Sequence, residues 1–330
     1  MPNELVLLTG ASGQIGFRTL IQALSSGYHV RAAVRSQRKQ DLIANASATQ
    51  PYLKQLSFVH VTDFEKDGAF DDAVQGVSYI IHIASPLSDA GTDVQRDIVQ
   101  PAIRGTLSIL DSASKASSVK RVVITSSSLA TWSFAPDPYT ASDFQPDPEV
   151  PKEPGFFAYA ASKKLALNRT RDWVQEKKPG FAVINIMPSF VWGRNENATT
   201  RADLAQGSNG MLLKLALGGA NIDQGFPNSA CHVDDVAEVH VRALDVPDVG
   251  PLRNFGVGWS KEKWQWDDIK EIARKHYPEA FEDGTFVSSG SIKSAEMAFD
   301  ASETEKTLGI EFKSLETAIK DLAGQYLELK

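Results

Sequence analysis

Apolar and polar positions along this chain alternate between two rhythms. Short, nearly continuous apolar runs recur at 5–8, 29–34, 56–61, 77–83, 121–125 and 182–187. Between them, near 14–26, 67–75, 95–117 and 157–177, apolar residues return every three or four positions, as on one face of a helix. Apolar strands alternating with amphipathic helices predict right-handed crossovers and a parallel sheet covered on both faces. After residue 187 the rhythm changes. Residues 193–210 are polar and rich in Asn, Thr, Gly and Ser, and read as a loop over a cleft. A short helix at 210–217, strands at 230–233 and 253–257, and helices at 235–244, 266–276, 302–308 and 314–328 complete the pattern. The Pro-rich stretch 136–154 reads as an irregular surface loop. The expected fold is α/β, a doubly wound parallel sheet with a smaller, mostly helical C-terminal lobe. Its nucleotide domain takes 1–187 and about 221–257, and the lobe about 188–220 and 258–330.

The first strand–helix junction carries the first chemistry. In Thr9-Gly10-Ala11-Ser12-Gly13-Gln14-Ile15-Gly16 three glycines fall three residues apart, directly after a strand and at the start of a helix. Gly10 permits a tight turn, Gly13 lets a diphosphate approach the backbone, and Gly16 lets helix and strand pack closely. The helix start turns free N–H groups and a partial positive charge toward the phosphates. The spacing is Gly-x-x-Gly-x-x-Gly, not the commoner Gly-x-Gly-x-x-Gly. The second run ends at Val34-Arg35, followed by Arg38 and Lys39. An acidic residue there would suit a ribose 2′-hydroxyl, whereas basic residues suit a 2′-phosphate. Arg35, assisted by Arg38 or Lys39, therefore points to NADPH/NADP+.

The second chemical anchor is Tyr159-Ala160-Ala161-Ser162-Lys163. Tyr and Lys four apart lie on one helix face, and a neighbouring ammonium favours the phenolate. An isolated pair of this kind is most often a surface feature. Here it follows a strand that ends in Thr125-Ser126-Ser127-Ser128, at the sheet edge where open α/β folds bind ligands.

With these pieces together the chain resembles the extended short-chain dehydrogenase/reductase family, and within it the dihydroflavonol-reductase-like group of NADPH-dependent aldehyde and ketone reductases. Further matching stretches are His60-Val61-Thr62-Asp63-Phe64, His82-Ile83-Ala84-Ser85-Pro86, Gly105-Thr106 and His232-Val233-Asp234-Asp235-Val236-Ala237. The resemblance implies that Ser127, or Ser128 one position on, orients a substrate carbonyl. It implies that Tyr159 gives the proton and that Lys163 holds the nicotinamide ribose and tunes Tyr159. Thr125 would support them. Asp63 and Phe64 would line the adenine pocket. Ala84, Ser85 and Pro86 would flank the nicotinamide ribose. Pro188, Ser189 and Val191 would lie by the nicotinamide. An apolar wall of Trp132, Phe134, Phe156, Phe157, Phe190, Trp192 and Met211 suits a hydrophobic carbonyl compound better than a sugar nucleotide. Phe156-Phe157-Ala158-Tyr159 replaces the signature of the cinnamoyl-CoA branch, which speaks against a CoA thioester. A nucleotide-sugar epimerase or dehydratase and a non-catalytic NADPH sensor are the competing readings. Arg35 argues against the first, and the retained Tyr159/Lys163 pair against the second.

Composition narrows the setting. The net charge of −7 and pI near 5.5 argue against a nucleic-acid or anionic-membrane partner. The single cysteine, Cys231, excludes an internal disulfide and fits a reducing compartment. No Cys/His cluster has zinc spacing. No leader segment or membrane-length apolar run is read, so the expectation is a cytoplasmic monomer or homodimer acting on a small carbonyl compound. Asn168-Arg169-Thr170 and Asn197-Ala198-Thr199 match glycosylation acceptors and read as chance matches in that setting.

Overall fold

A computed structural model describes residues 4–85, 91–135, 137–259 and 263–330. The first half runs β1 (Leu5–Thr9), α1 (Gln14–Ser25), β2 (His29–Val34), α2 (Gln37–Ala44), β3 (Leu56–His60), β4 (Tyr79–His82), α3 (Gln100–Ser114) and β5 (Arg121–Thr125). It continues through a two-residue β6 (Tyr139–Thr140), the long α4 (Phe156–Lys177), β7 (Ala182–Pro188) and β8 (Phe190–Trp192). Short helices α5 (Arg201–Leu204) and α6 (Gly207–Gly210) follow, then β9 (Asn221–Pro227), β10 (Ala230–His232), α7 (Val233–Arg242) and β11 (Leu252–Val257). The chain closes with α8 (Asp268–His276), α9 (Glu279–Glu282), β12 (Ser291–Ala295), β13 (Phe299–Asp300), α10 (Ser302–Leu308) and α11 (Leu315–Glu328).

Seven parallel strands form the main sheet in the order β11-β7-β5-β4-β1-β2-β3. Its central strands are apolar at successive positions because both faces are covered. Leu8, Ile81, Val123 and Ile184 pack on one side with Leu20 of α1 and Val236 and Val239 of α7. Their neighbours Leu7, Ile80, Val122 and Val183 pack on the other with Ile109 and Leu110 of α3 and Trp173 of α4. The lobe has its own core, centred on Trp192, Trp264 and Trp266 with Leu212, Ile269, Ile319 and Leu322.

Three expectations change. Residues 67–75 form turns, not a helix, and Gly68 sits there at φ +73°, outside helical space. Helix α2 was not anticipated. It is short and largely exposed, with Ile43 its one buried residue, so it lacks the apolar stripe that betrays a helix. Residues 221–227, expected with the nucleotide domain, pair with β12, and Ile222 and Phe226 pack in the lobe core. Among the described residues no helix is long and apolar enough to cross a membrane.

Candidate active site

The glycine turn has the shape of a phosphate cradle. Gly10 adopts φ +76°, and the Gly13 amide donates to its carbonyl at 3.0 Å. A Cβ on Gly16 would lie 2.0 Å from the Gly10 oxygen, so only glycine lets α1 start this close to β1. Gly13 differs, since a Cβ there would meet only the Gly10 oxygen, at 3.5 Å. Gly13 is also the N-cap of α1. No side chain caps the helix, and its first turn holds no acidic residue. The free N–H groups and the helix dipole thus face an open approach, which fits the diphosphate of a dinucleotide. Other side chains of the motif do structural work. The Thr9 hydroxyl accepts from the Ile83 and Ala84 amides, both at 3.1 Å, and meets His82 Nδ1 at 3.0 Å. It therefore fixes the segment that carries Ala84 and Ser85. Gln14 Nε2 donates to the Gly193 carbonyl, and Ile15 packs against the core.

Arg35 follows β2 and is exposed, its guanidinium 4.2 Å from the centre of the Phe64 ring. Stacking leaves the edges of the guanidinium available, and no carboxylate among the described residues pairs with it. Arg38 and Lys39 lie in the first turn of α2, which Ser36 caps by accepting from the Lys39 amide. Asp63 accepts from the Glu65 amide at 3.0 Å, closing the turn that presents Phe64.

The three proposed catalytic groups converge at the end of β5. Ser127 Oγ accepts from the Leu129 amide at 3.2 Å and is close enough to the Tyr159 phenol to work against the effect of burial on its pKa. Ser128 turns elsewhere, lying 3.4 Å from Ser189 Oγ, which meets Ser229 Oγ at 2.7 Å. Lys163 Nζ donates to Ser85 Oγ at 2.8 Å and stands 5.5 Å from the centre of the Tyr159 ring. Thr125 donates to His240 Nε2 at 2.7 Å, because His240 Nδ1 donates to the Val236 carbonyl at 2.7 Å and leaves Nε2 as the acceptor.

The electrostatics depart from expectation. Burial pushes the Tyr159 phenol up to about 12, against a lowering influence from Ser127. Burial also pulls Lys163 down to about 8. The ammonium stands over the phenol ring and donates to Ser85, and burial outweighs its expected lowering of Tyr159. Burial, then the Lys163 charge, pulls His82 down to about 3 and keeps it neutral. Behind Lys163 lies a small polar cavity of about 20 Å³, room for about one water, bordered by His82, Ser85, Thr125, Ser126 and Asn185.

The aromatic wall divides. Trp132, Phe134, Phe156 and Phe157 form a chain of rings 4.6–6.3 Å apart around the start of α4. Phe134 and Phe157 are exposed, and Phe134 is held at φ +64°. Phe190 stacks on Phe226, and Met211 borders the lobe core. Trp192 is not a wall residue. It is wholly buried among Trp259, Trp264 and Trp266, and its indole donates to the Ser208 carbonyl. Val191 likewise packs in the main core, since β8 pairs with β10 and turns that side chain inward. Pro188 ends β7 and Ser189 is half-buried beside it, whereas Pro86 lies outside the described residues. Sequence reasoning missed His240 and Ser229, which hold Thr125 and Ser189. Each acts through a contact remote in the chain, which leaves no local pattern.

Residues 6–258 match the NAD dependent epimerase/dehydratase family. The ketoreductase CTB6 of Cercospora nicotianae is 39% identical, with 100% of this chain and 96% of that protein covered. The NAD-dependent epimerase/dehydratase ALT6 of Alternaria alternata is 36% identical, with both chains covered completely. Among solved structures, yeast methylglyoxal/isovaleraldehyde reductase Gre2 in complex with NADPH superposes with a TM-score of 0.80 at 25% identity, covering 98% of each chain.

Proposed function

The chain belongs to the NAD dependent epimerase/dehydratase family, and we propose that it is a reductase of a hydrophobic ketone or aldehyde that draws on NADPH. The observation that carries this reading is the meeting of Ser127, Tyr159 and Lys163 at one sheet edge, beside an open glycine turn. The ketoreductase relative and the reductase Gre2 support the reaction class. Arg35, stacked on Phe64 with its donor edges free, supports a 2′-phosphate.

The dinucleotide, when bound, supplies the hydride. The protein supplies the proton and the positioning. Ser127 and Tyr159 hydroxyls both hydrogen-bond the carbonyl oxygen of the substrate. Tyr159, held near 12, is fully protonated at neutral pH and serves as the acid that neutralises the developing alkoxide. Lys163 keeps its ammonium below about pH 8, holds Ser85, and offers its remaining donors to a ribose. Thr125 and His240 fix the end of β5, and Thr9 fixes the segment at Ala84. The ring chain from Trp132 to Phe157 gives an apolar face for the body of the substrate. Following NADPH absorbance with an aromatic ketone, a UDP-sugar and no substrate tests the reading. Oxidation only with the ketone is expected. Turnover of the UDP-sugar without net NADPH loss would transfer the assignment to an epimerase.

A further inference from the structure

The start of the polar stretch 193–210 is tied to the glycine turn, and its geometry reveals a residue with unused hydrogen-bonding capacity. Buried Gln325 of α11 grips the backbone of Asn195 with both ends of its amide, accepting from the Asn195 N–H and donating to its carbonyl, each at 2.8 Å. The Asn195 side chain accepts from the Asn197 N–H at 3.2 Å, and the Ala198 amide donates to the Asn195 carbonyl at 2.9 Å. This braced turn presents the Asn197 side chain to the phosphate cradle, where Nδ2 donates to the Ser12 carbonyl at 3.3 Å. The contact with a carbonyl fixes which end of the amide is the donor. Asn197 Oδ1 is then buried with no partner. Two more ties hold the turn in place, Gln14 to the Gly193 carbonyl and Arg18 to Glu196 at 3.8 Å.

A buried amide oxygen without a donor is costly, and one Nδ2 hydrogen is also uncommitted. A diphosphate crossing the cradle brings acceptor oxygens flanked by ribose hydroxyl donors, the complement of those two groups. We infer that Asn197 is a ligand for the diphosphate–ribose portion of the dinucleotide, delivered by the lobe to the glycine turn. The inference rests on the nucleotide-binding reading above and adds a residue that the glycine motif does not contain. It gives the lobe a direct part in holding the cofactor, and Gln325 becomes the residue that positions it.

Titration of the full-length protein with NADPH, ADP-ribose 2′-phosphate and 2′,5′-ADP tests this. The last lacks the diphosphate bridge. Asn197→Ala is expected to weaken the first two by about tenfold, the scale of one hydrogen bond to a charged group, and to leave 2′,5′-ADP within about twofold. Asn197→Asp, nearly the same shape, should weaken them further through repulsion of the phosphates, and it serves if the alanine variant folds poorly. Wild-type affinity for all three ligands in both variants overturns the inference. So does an equal loss for 2′,5′-ADP, which would mark a general loosening of the turn. Wild-type protein that fails to bind NADPH at all would instead remove the nucleotide reading itself.

Discussion

Two glycines of one turn should fail in opposite ways when given a methyl group. In Gly16→Ala the new carbon would stand 2.0 Å from the Gly10 oxygen, 2.5 Å from its carbonyl carbon and 3.0 Å from the Ala11 nitrogen. Comfortable contacts for carbon lie at about 3.5–4.0 Å, so the backbone must retreat by roughly 1.5 Å. Overpacking costs about 1–3 kcal/mol where side chains can give way, and here only backbone is in reach. Alanine's better helix propensity returns about 1 kcal/mol. The net expectation is a loss of about 2 kcal/mol or more. At an unfolding entropy of about 2.1 cal/mol/K per residue over 330 residues, the melting temperature falls by about 3 °C or more. Gly13 has φ −92°, open to any residue, and its added methyl meets only an ordinary contact at 3.5 Å. Gly13→Ala should therefore melt within about 1 °C of wild type. Its methyl would occupy the mouth of the cradle, so affinity for NADPH should drop by about tenfold or more. Thermal melting and nucleotide titration on the two variants read the difference. Unchanged affinity in Gly13→Ala would refute the placement of phosphates over this turn, and equal melting of both variants would refute the division of labour.

Three further expectations concern the chemistry. Tyr159→Phe should lose turnover by at least about a hundredfold while binding NADPH nearly as wild type, because the hydroxyl is needed only to deliver the proton; steady-state kinetics with a binding titration checks this. Arg35→Asp should weaken NADPH relative to NADH by about tenfold or more, and parallel losses for both would place Arg35 away from the adenosine ribose. Burial lowers Lys163 to about 8, so its ammonium is complete below that pH and lost above it. The ratio kcat/KM should accordingly fall as pH rises through about 8, and a profile flat to about pH 10 would contradict the assignment of this charge.

The sheet was legible because its strands are buried on both faces and leave apolar runs that no loop imitates. The glycine turn was legible because steric demand selects one residue type at fixed spacing. Tyr159 and Lys163 were legible as a pair on one helical turn. What the chain order could not convey was which way side chains turn once strands pair. Trp192 and Phe190 look alike as aromatic neighbours of Ser189, yet one fills the lobe core and the other is half-buried against Phe226. Ser127 and Ser128 were equivalent on paper. The turn after β5 separates them, leaving Ser127 with the Leu129 amide and Ser128 with Ser189. The phenol's raised pKa was likewise invisible, since burial is a property of the packed state.

The order of strands in the main sheet bears on how such an enzyme can be altered. Arg35 leaves the end of β2 and Ser127 follows β5, with β1 and β4 between them. Three steps of about 4.8 Å put roughly 14 Å between the strand that leads into Arg35 and the strand that leads into Ser127. The glycine turn sits between the two and is tied through Thr9 to the segment that carries Ala84 and Ser85. Substitutions around Arg35 and around the start of α4, which lie far apart, should therefore combine nearly additively.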